Sequence, residues 1–182
     1  MQLSTAQDVL DFWFAPEQAP RWFVKSDEFD HSIRQQFSEL HERAAQGELW
    51  QWRTTVQGRL AEIIVLDQFS RNLYREQPKA FAQDTMAVVL AQEAVALKLD
   101  LALDTTQRKF LYMPFMHSES KVIHEEAYRL FEQLGDALTL DFEIKHKVII
   151  DRFGRYPHRN AVLGRTSSEE EIAFLQEPNS SF

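Results

Sequence analysis

Apolar residues return every three to four positions along most of the chain, which is the repeat of an α-helix and not the alternation of a strand. Val9, Leu10, Trp13 and Phe14 form a first stripe that stops before Pro16, and Ser4 with Gln7 has the spacing of a capping box. Trp22 and Phe23 follow as expected core anchors. From Ser26 the acids Asp27, Glu28 and Asp30 occupy a first turn, where the helix dipole favours them, and Phe29, Ile33, Phe37 and Leu40 carry a second helix to a stop at Gly47. Trp50 and Trp52 alternate across a short turn before a third helix from about Val56 to Tyr74. Its centre, LAEIIVLDQF, is apolar on more than one side, so this helix is expected inside the domain. The β-branched residues there suit a strand as well; length and the lack of strict alternation decide for a helix.

The pattern continues with an alanine-rich helix from Lys79 to Leu99 behind Pro78, then a short helix capped by Asp104 or Thr105 that runs through Tyr112 and ends at Pro114. Further helices are predicted from Ser118 to Leu134, closed by Gly135, and from Leu140 to Phe153, closed by Gly154 in a left-handed cap. Ser167 and Glu170 make a second capping box for a last short helix, Glu169 to Leu175, and the tail PNSSF is expected to be extended. The fold class is therefore all-α: a single-domain multi-helix array of seven to nine helices in antiparallel neighbours. No internal repeat at a fixed period is visible.

Composition narrows the picture. A chain of 182 residues with 44% hydrophobic residues can bury a real core as one domain, and 14 phenylalanines make that core ring-rich. The formal net charge of -8 argues against a nucleic-acid or anionic-membrane surface, since phosphate affinity scales with the cations presented. The absence of cysteine excludes a disulfide framework, a thiolate zinc site and a cysteine nucleophile. No stretch approaches eighteen apolar residues and the N-terminus lacks a signal-peptide pattern, so a cytoplasmic protein is expected. Dinucleotide, P-loop and esterase-elbow motifs are missing, and no cofactor is expected.

Against that acidic balance, the segment from Ile150 to Arg165 carries four arginines, Arg152, Arg155, Arg159 and Arg165, with His158 and a single acid, Asp151. Guanidinium presents a rigid fork of donors that matches a carboxylate or phosphate. The loop either lines a pocket for an anion or ties helices together through some of the protein's 28 acids. Three other places break the apolar pattern. Asp67 continues the face set by Leu60, Ile63 and Ile64, so a carboxylate stands where a leucine would be expected; Arg71, four residues on, is its nearest partner, and the pair is either an internal tie or a device that orients Arg71 or Arg75 toward a ligand beside Asn72. His117, Ser118 and Glu119 share a site only if His117 precedes the first helical turn with Ser118 as its cap; otherwise His117 faces inward with Lys121 and His124. His146 lies on a face fixed by Phe142, Ile149, Ile150 and Phe153, where a histidine bonded to a carbonyl or carboxylate is the plain alternative to a proton-transfer group. HExxH is absent, and no metal is expected.

The segments LDQFSRNLYR (66 to 75), FLYMPFMHSES (110 to 120), His146 with IIDRFGRYPHRNAVLGR (149 to 165) and the ending EEEIAFLQEPNSSF resemble the bacterial domain-of-unknown-function 924 family over essentially the whole chain. Ser70 departs from the family's usual proline. The resemblance implies an all-helical fold similar to tetratricopeptide-like (TPR-like) superhelices and no established reaction. Carried onto this chain, its polar signature comprises Asp67, Arg71, Asn72, Arg75, His117, Ser118, Glu119, His146, Arg152, Arg155, His158, Arg159, Asn160 and Arg165. One functional expectation is a small-molecule site in which Arg71, Arg152, Arg155 and Arg159, with Asp67, Asn72, His146, Asn160 and Arg165, hold a small anionic ligand, while His117, Glu119 and His158 exchange protons. The alternative is a helical module that takes a peptide or protein partner without catalysis.

Overall fold

The computed structural model describes residues 3–182. Among them the chain forms eight α-helices and no strand. In chain order these are α1 (Ala6–Trp13), α2 (Asp27–Ala45), α3 (residues 56–73), α4 (Asp84–Ala96), α5 (Thr105–Met116), α6 (Lys121–Leu134), α7 (Ala137–Phe153) and α8 (Glu169–Phe174). Short 3₁₀ turns fill several of the links. Helix α3 is three pieces in one rod: α-helical Val56–Ile64, a π-helical stretch Val65–Phe69, and α-helical Ser70–Leu73.

As its all-round apolar sequence requires, α3 is the buried axis, with every residue from 60 to 70 inside. Helices α1, α2, α4 and α5 pack around it. The surrounding core is ring-rich: Trp13 lies 5.7 Å from Phe69 and 5.4 Å from Phe110 between ring centroids, and Phe37 lies 4.9 Å from Phe69. Helices α5, α6 and α7 continue the array by packing each on the next, and a smaller apolar cluster of Ile149, Ile150, Tyr156 and Phe174 holds the C-terminal segment to α7. Among the described residues no helix is long and apolar enough to cross a membrane.

Local chemistry moves several predicted boundaries. The first capping box is Thr5 with Asp8 and the last is Ser168 with Glu171, each one residue beyond the expected pair. The predicted 79–99 helix is divided: Pro78–Phe81 is a 3₁₀ turn, and α4 proper starts only at Asp84. Pro114 does not end α5. Residues 110–116 are all buried, and their packing outweighs the hydrogen bond that proline cannot make, so the helix runs on to Met116. Helix α7 begins earlier than predicted, because Asp136 accepts from the Leu138 and Thr139 N–H groups. Phe23 (64% exposed) and Phe142 (41%) are not core residues; the face of α7 turned inward carries Glu143 and His146 instead. The tail is turned and not extended, and the buried Ser180 donates to the Leu175 carbonyl at 3.2 Å.

Candidate functional site

The π-helical stretch of α3 carries Asp67. One wide turn displaces the side chains that follow it relative to an α-helix, and such stretches gather at functional sites. Asp67 is fully buried, and a buried carboxylate must be paired. Its Oδ1 accepts from His117 Nδ1 at 2.8 Å and from Arg71 Nη1 at 3.2 Å, and Oδ2 accepts from Gln68 Nε2 at 2.6 Å. Burial pushes this carboxyl up, but His117, Arg71 and Gln68 together hold it down at about 2. It is an anion at neutral pH, so it can only accept, and His117 presents Nδ1–H to it. His117 Nε2 has no hydrogen-bond partner among the described residues, although its ring lines a cleft. Burial and the Arg71 charge hold the imidazole below its usual range in spite of Asp67, so the ring is a neutral proton acceptor at pH 7.

That cleft measures ≈270 Å³. Its polar floor is Asp84, His117, Ser118, Glu119 and Arg159, and Pro78, Phe81, Ala82, Val88 and Leu163 give it an apolar wall. The first turn of α4 lines it through Asp84 and the end of α5 through His117, while Arg71 of α3 reaches Asp84 from behind. Arg71 grips Asp84 with two bonds, Nη1 to Oδ1 at 2.9 Å and Nη2 to Oδ2 at 3.1 Å. Arg159 donates to the same Asp84 at 3.2 Å and to the His117 carbonyl at 3.1 Å. Its guanidinium carbon lies 4.4 Å from the Phe81 ring centroid and 4.6 Å from that of Tyr156. Burial and the neighbouring Arg71 charge pull its pKa below the usual arginine range, and Nε is buried without a partner.

His117 and Glu119 reach one cleft because residues 117–120 are a link between two helices and not a helical turn. His117 caps the C-terminus of α5, and α6 starts only at Lys121 with Ser120, not Ser118, at the cap position. Glu119 arrives already engaged: Arg165 binds it with two bonds, at 2.7 and 2.9 Å, and the Tyr156 N–H donates to it at 2.7 Å. Burial raises its carboxyl, but Arg165 and the Tyr156 amide leave it below the usual range. Asn160 steadies this tie by accepting from Arg165 Nε at 2.9 Å.

The other expected site residues lie elsewhere. Arg155 is bound by Glu171 at 2.6 and 2.7 Å, and Arg152 by Glu170 at 2.9 Å on the exposed side of α8. Asn72 and Arg75 turn to Asp30, at 2.7 Å and at 2.7 and 2.8 Å, beside a separate hollow of ≈330 Å³. His146 bonds the Phe142 carbonyl at 2.7 Å and stacks on Phe182 with centroids 3.8 Å apart; burial holds it near 3. His158 lies behind Tyr156, at 5.4 Å between centroids, and burial with the Arg159 charge holds it near 4. Lys121 is exposed and donates to the Asp151 carbonyl, whereas His124 is buried, 2.7 Å from Glu143 and 3.1 Å from the Tyr156 hydroxyl, so neither joins His117. Among the described residues no group of three or more His, Asp or Glu side chains could hold a metal ion.

Sequence reasoning missed Asp84, the carboxylate that joins Arg71 to Arg159. Placing the start of α4 at Asp84, by treating Pro78 as the opening of a separate turn, is the one signal that could have found it. It also missed Phe81, which with Tyr156 of the arginine segment packs a ring against the Arg159 guanidinium.

Fold and site together define a compact class: all-helical proteins in which an imidazole fixed by a buried carboxylate faces a cleft framed by arginine–carboxylate ties. The chain belongs to the family described as bacterial protein of unknown function, DUF924, whose model matches residues 9–179. It is similar to a solved structure titled "Structure of Protein of Unknown Function ATU0120 from Agrobacterium tumefaciens", at 36% identity and a TM-score of 0.89, over 94% of this chain and 96% of that one. No curated protein matches the chain.

Proposed function

We propose that the cleft binds a small carboxylate or phosphate compound and exchanges a proton with it, with His117 as the proton-transfer group and Arg159 as the charge that holds the anion. The observation that carries this reading is the Asp67–His117 contact of 2.8 Å, in which a wholly buried carboxylate fixes an imidazole that lines the cleft and has no partner at Nε2. A neutral imidazole oriented in this way is a general base near pH 7. Arg71 extends the positive edge behind Asp84, and Glu119, Arg165 and Asn160 hold the segment that carries His117.

Thermal-shift screening against carboxylated and phosphorylated metabolites, followed by calorimetry of any hit in buffers of different ionisation heat, tests the reading. Hits are expected to weaken in Arg159→Lys, which keeps the charge and loses the fork, and binding is expected to be accompanied by proton exchange that His117→Gln abolishes. Hits that are indifferent to both substitutions, or no hit in either class, would overturn it.

A further inference from the structure

The cleft has a charge balance that selects among anions. Three carboxylates, Asp67, Asp84 and Glu119, face three guanidiniums, Arg71, Arg159 and Arg165, and His117 is neutral, so the formal charges sum to zero. Both carboxylates that line the cleft are already satisfied. Asp84 accepts on both oxygens, from Arg71 and Arg159, and Glu119 accepts on both, from Arg165 and the Tyr156 amide. A phosphate dianion would therefore add two uncompensated charges to a partly buried site, where an unpaired charge is costly. A carboxylate adds one.

What remains to receive a single charge is specific. Arg159 is 6% exposed, with Nη1 on Asp84, Nη2 on the His117 carbonyl and Nε buried without a partner, so it offers a ligand its positive charge and not a free N–H. The first turn of α4 abuts it: Gln83 at the cap position makes no side-chain bond, and the N–H of Thr85, a residue that lines the cleft, has no acceptor among the described residues. A helix N-terminus contributes a partial positive charge of about one half. Pro78, Phe81, Val88 and Leu163 add apolar surface to the same cleft, and ≈270 Å³ is small for a ligand pocket.

Resting on the acid–base reading of the same cleft, we infer that its ligand is a small monocarboxylate with an apolar body: the carboxylate lies between Arg159 and the first turn of α4, and the body lies against Phe81, Val88 and Leu163. The test is an NMR titration of the ¹⁵N-labelled chain with butyrate and phenylacetate, with butyramide and phenylacetamide as uncharged counterparts, and with inorganic phosphate as competitor. At least one of the two acids is expected to bind about tenfold or more tightly than its amide, to move the Thr85 amide resonance, and to stay bound against equimolar phosphate. Ala82→Trp, placed at an exposed rim position, is expected to weaken binding to a similar degree while the melting temperature is kept. Equal affinity for acid and amide, displacement by phosphate, no saturable binding up to about 10 mM, or undiminished binding in a folded Ala82→Trp would each overturn the inference. Carboxylate binding that leaves the His117 titration unmoved would sink the acid–base reading and spare the ligand class; a His117 titration that responds alike to acid and amide would do the reverse.

Discussion

Asp67 makes its neighbours what they are. Removing its carboxylate leaves Arg71 short of a partner and frees His117 Nδ1, so Asp67→Ala is expected to cost about 3 kcal/mol or more in urea unfolding, as loss of one member of a buried pair generally does. Because its folded pKa of about 2 lies below the unfolded carboxyl value, Asp67 stabilises the fold fully above pH 4 and progressively less as pH falls toward 2. The buried histidines act at a milder pH. Burial holds His41 and His158 near 4 and His146 near 3, so each is neutral when folded and takes up a proton near 6.5 when unfolded. Stability is therefore expected to be complete above about pH 6.5 and to drop by several kcal/mol in sum between there and about pH 4. Denaturation midpoints that stay flat across that window would contradict the buried, neutral placement.

Among the elements, α3 shows how a sequence fixes a helix entry as well as a face. Gly58 sits in its first turn, where an added Cβ would lie 2.0 Å from the Trp52 carbonyl oxygen, so the 3₁₀ turn Trp50–Thr54 can close on the helix only over a glycine. Gly58→Ala is expected to destabilise by at least about 2 kcal/mol, well beyond the roughly 1 kcal/mol of a left-handed cap such as Gly47→Ala, in parallel chemical denaturations. Capping, by contrast, was legible only to within a residue: Ser4 and Thr5, like Ser167 and Ser168, offer equivalent hydroxyls, and the one whose partner carboxylate returns to the cap N–H prevails. Pro114 misled for a different reason. A local helix-breaking preference of a few kcal/mol is smaller than the burial of Phe115 and Met116, and this lengthening of α5 is what sets His117 beside Asp67.

Over the whole molecule, the arginine segment works mainly as a clasp. Arg155 holds Glu171 of α8, Arg165 holds Glu119 of the α5–α6 link, and Arg159 holds Asp84 of α4, so one loop ties three distant parts of the chain. Glu171→Gln is expected to lower the melting temperature by a few degrees at pH 7. Arg155 and the Ser168 amide hold the Glu171 carboxyl near 2, below its usual range, so the deficit of the variant should shrink as pH falls from about 4.5 toward 2 and the wild type loses the same tie. A deficit that does not depend on pH would assign the effect to packing. The expected gathering of polar segments into one cleft is partial: of the expected residues His117, Glu119 and Arg159 line it with Ser118, Asp67, Arg71, Arg165 and Asn160 are bonded behind them, and Asn72 joins Asp30 while Arg152 and Arg155 join the acids of α8.

The all-helical class, the buried α3, the ring-rich core and the unusual standing of Asp67 and the arginine segment were settled by the sequence alone, because periodicity, side-chain volume and the cost of burying a carboxylate are properties of neighbouring residues. Which acid neutralises which arginine was not. Partners such as Arg159 and Asp84 stand 75 residues apart, and 28 acids offer many pairings of similar local cost. Only the packing of α3, α4 and α5, with a wide π turn at Asp67 and a helix that continues through Pro114, sets the distances that select one pairing and leave the edge of His117 toward the cleft without a partner.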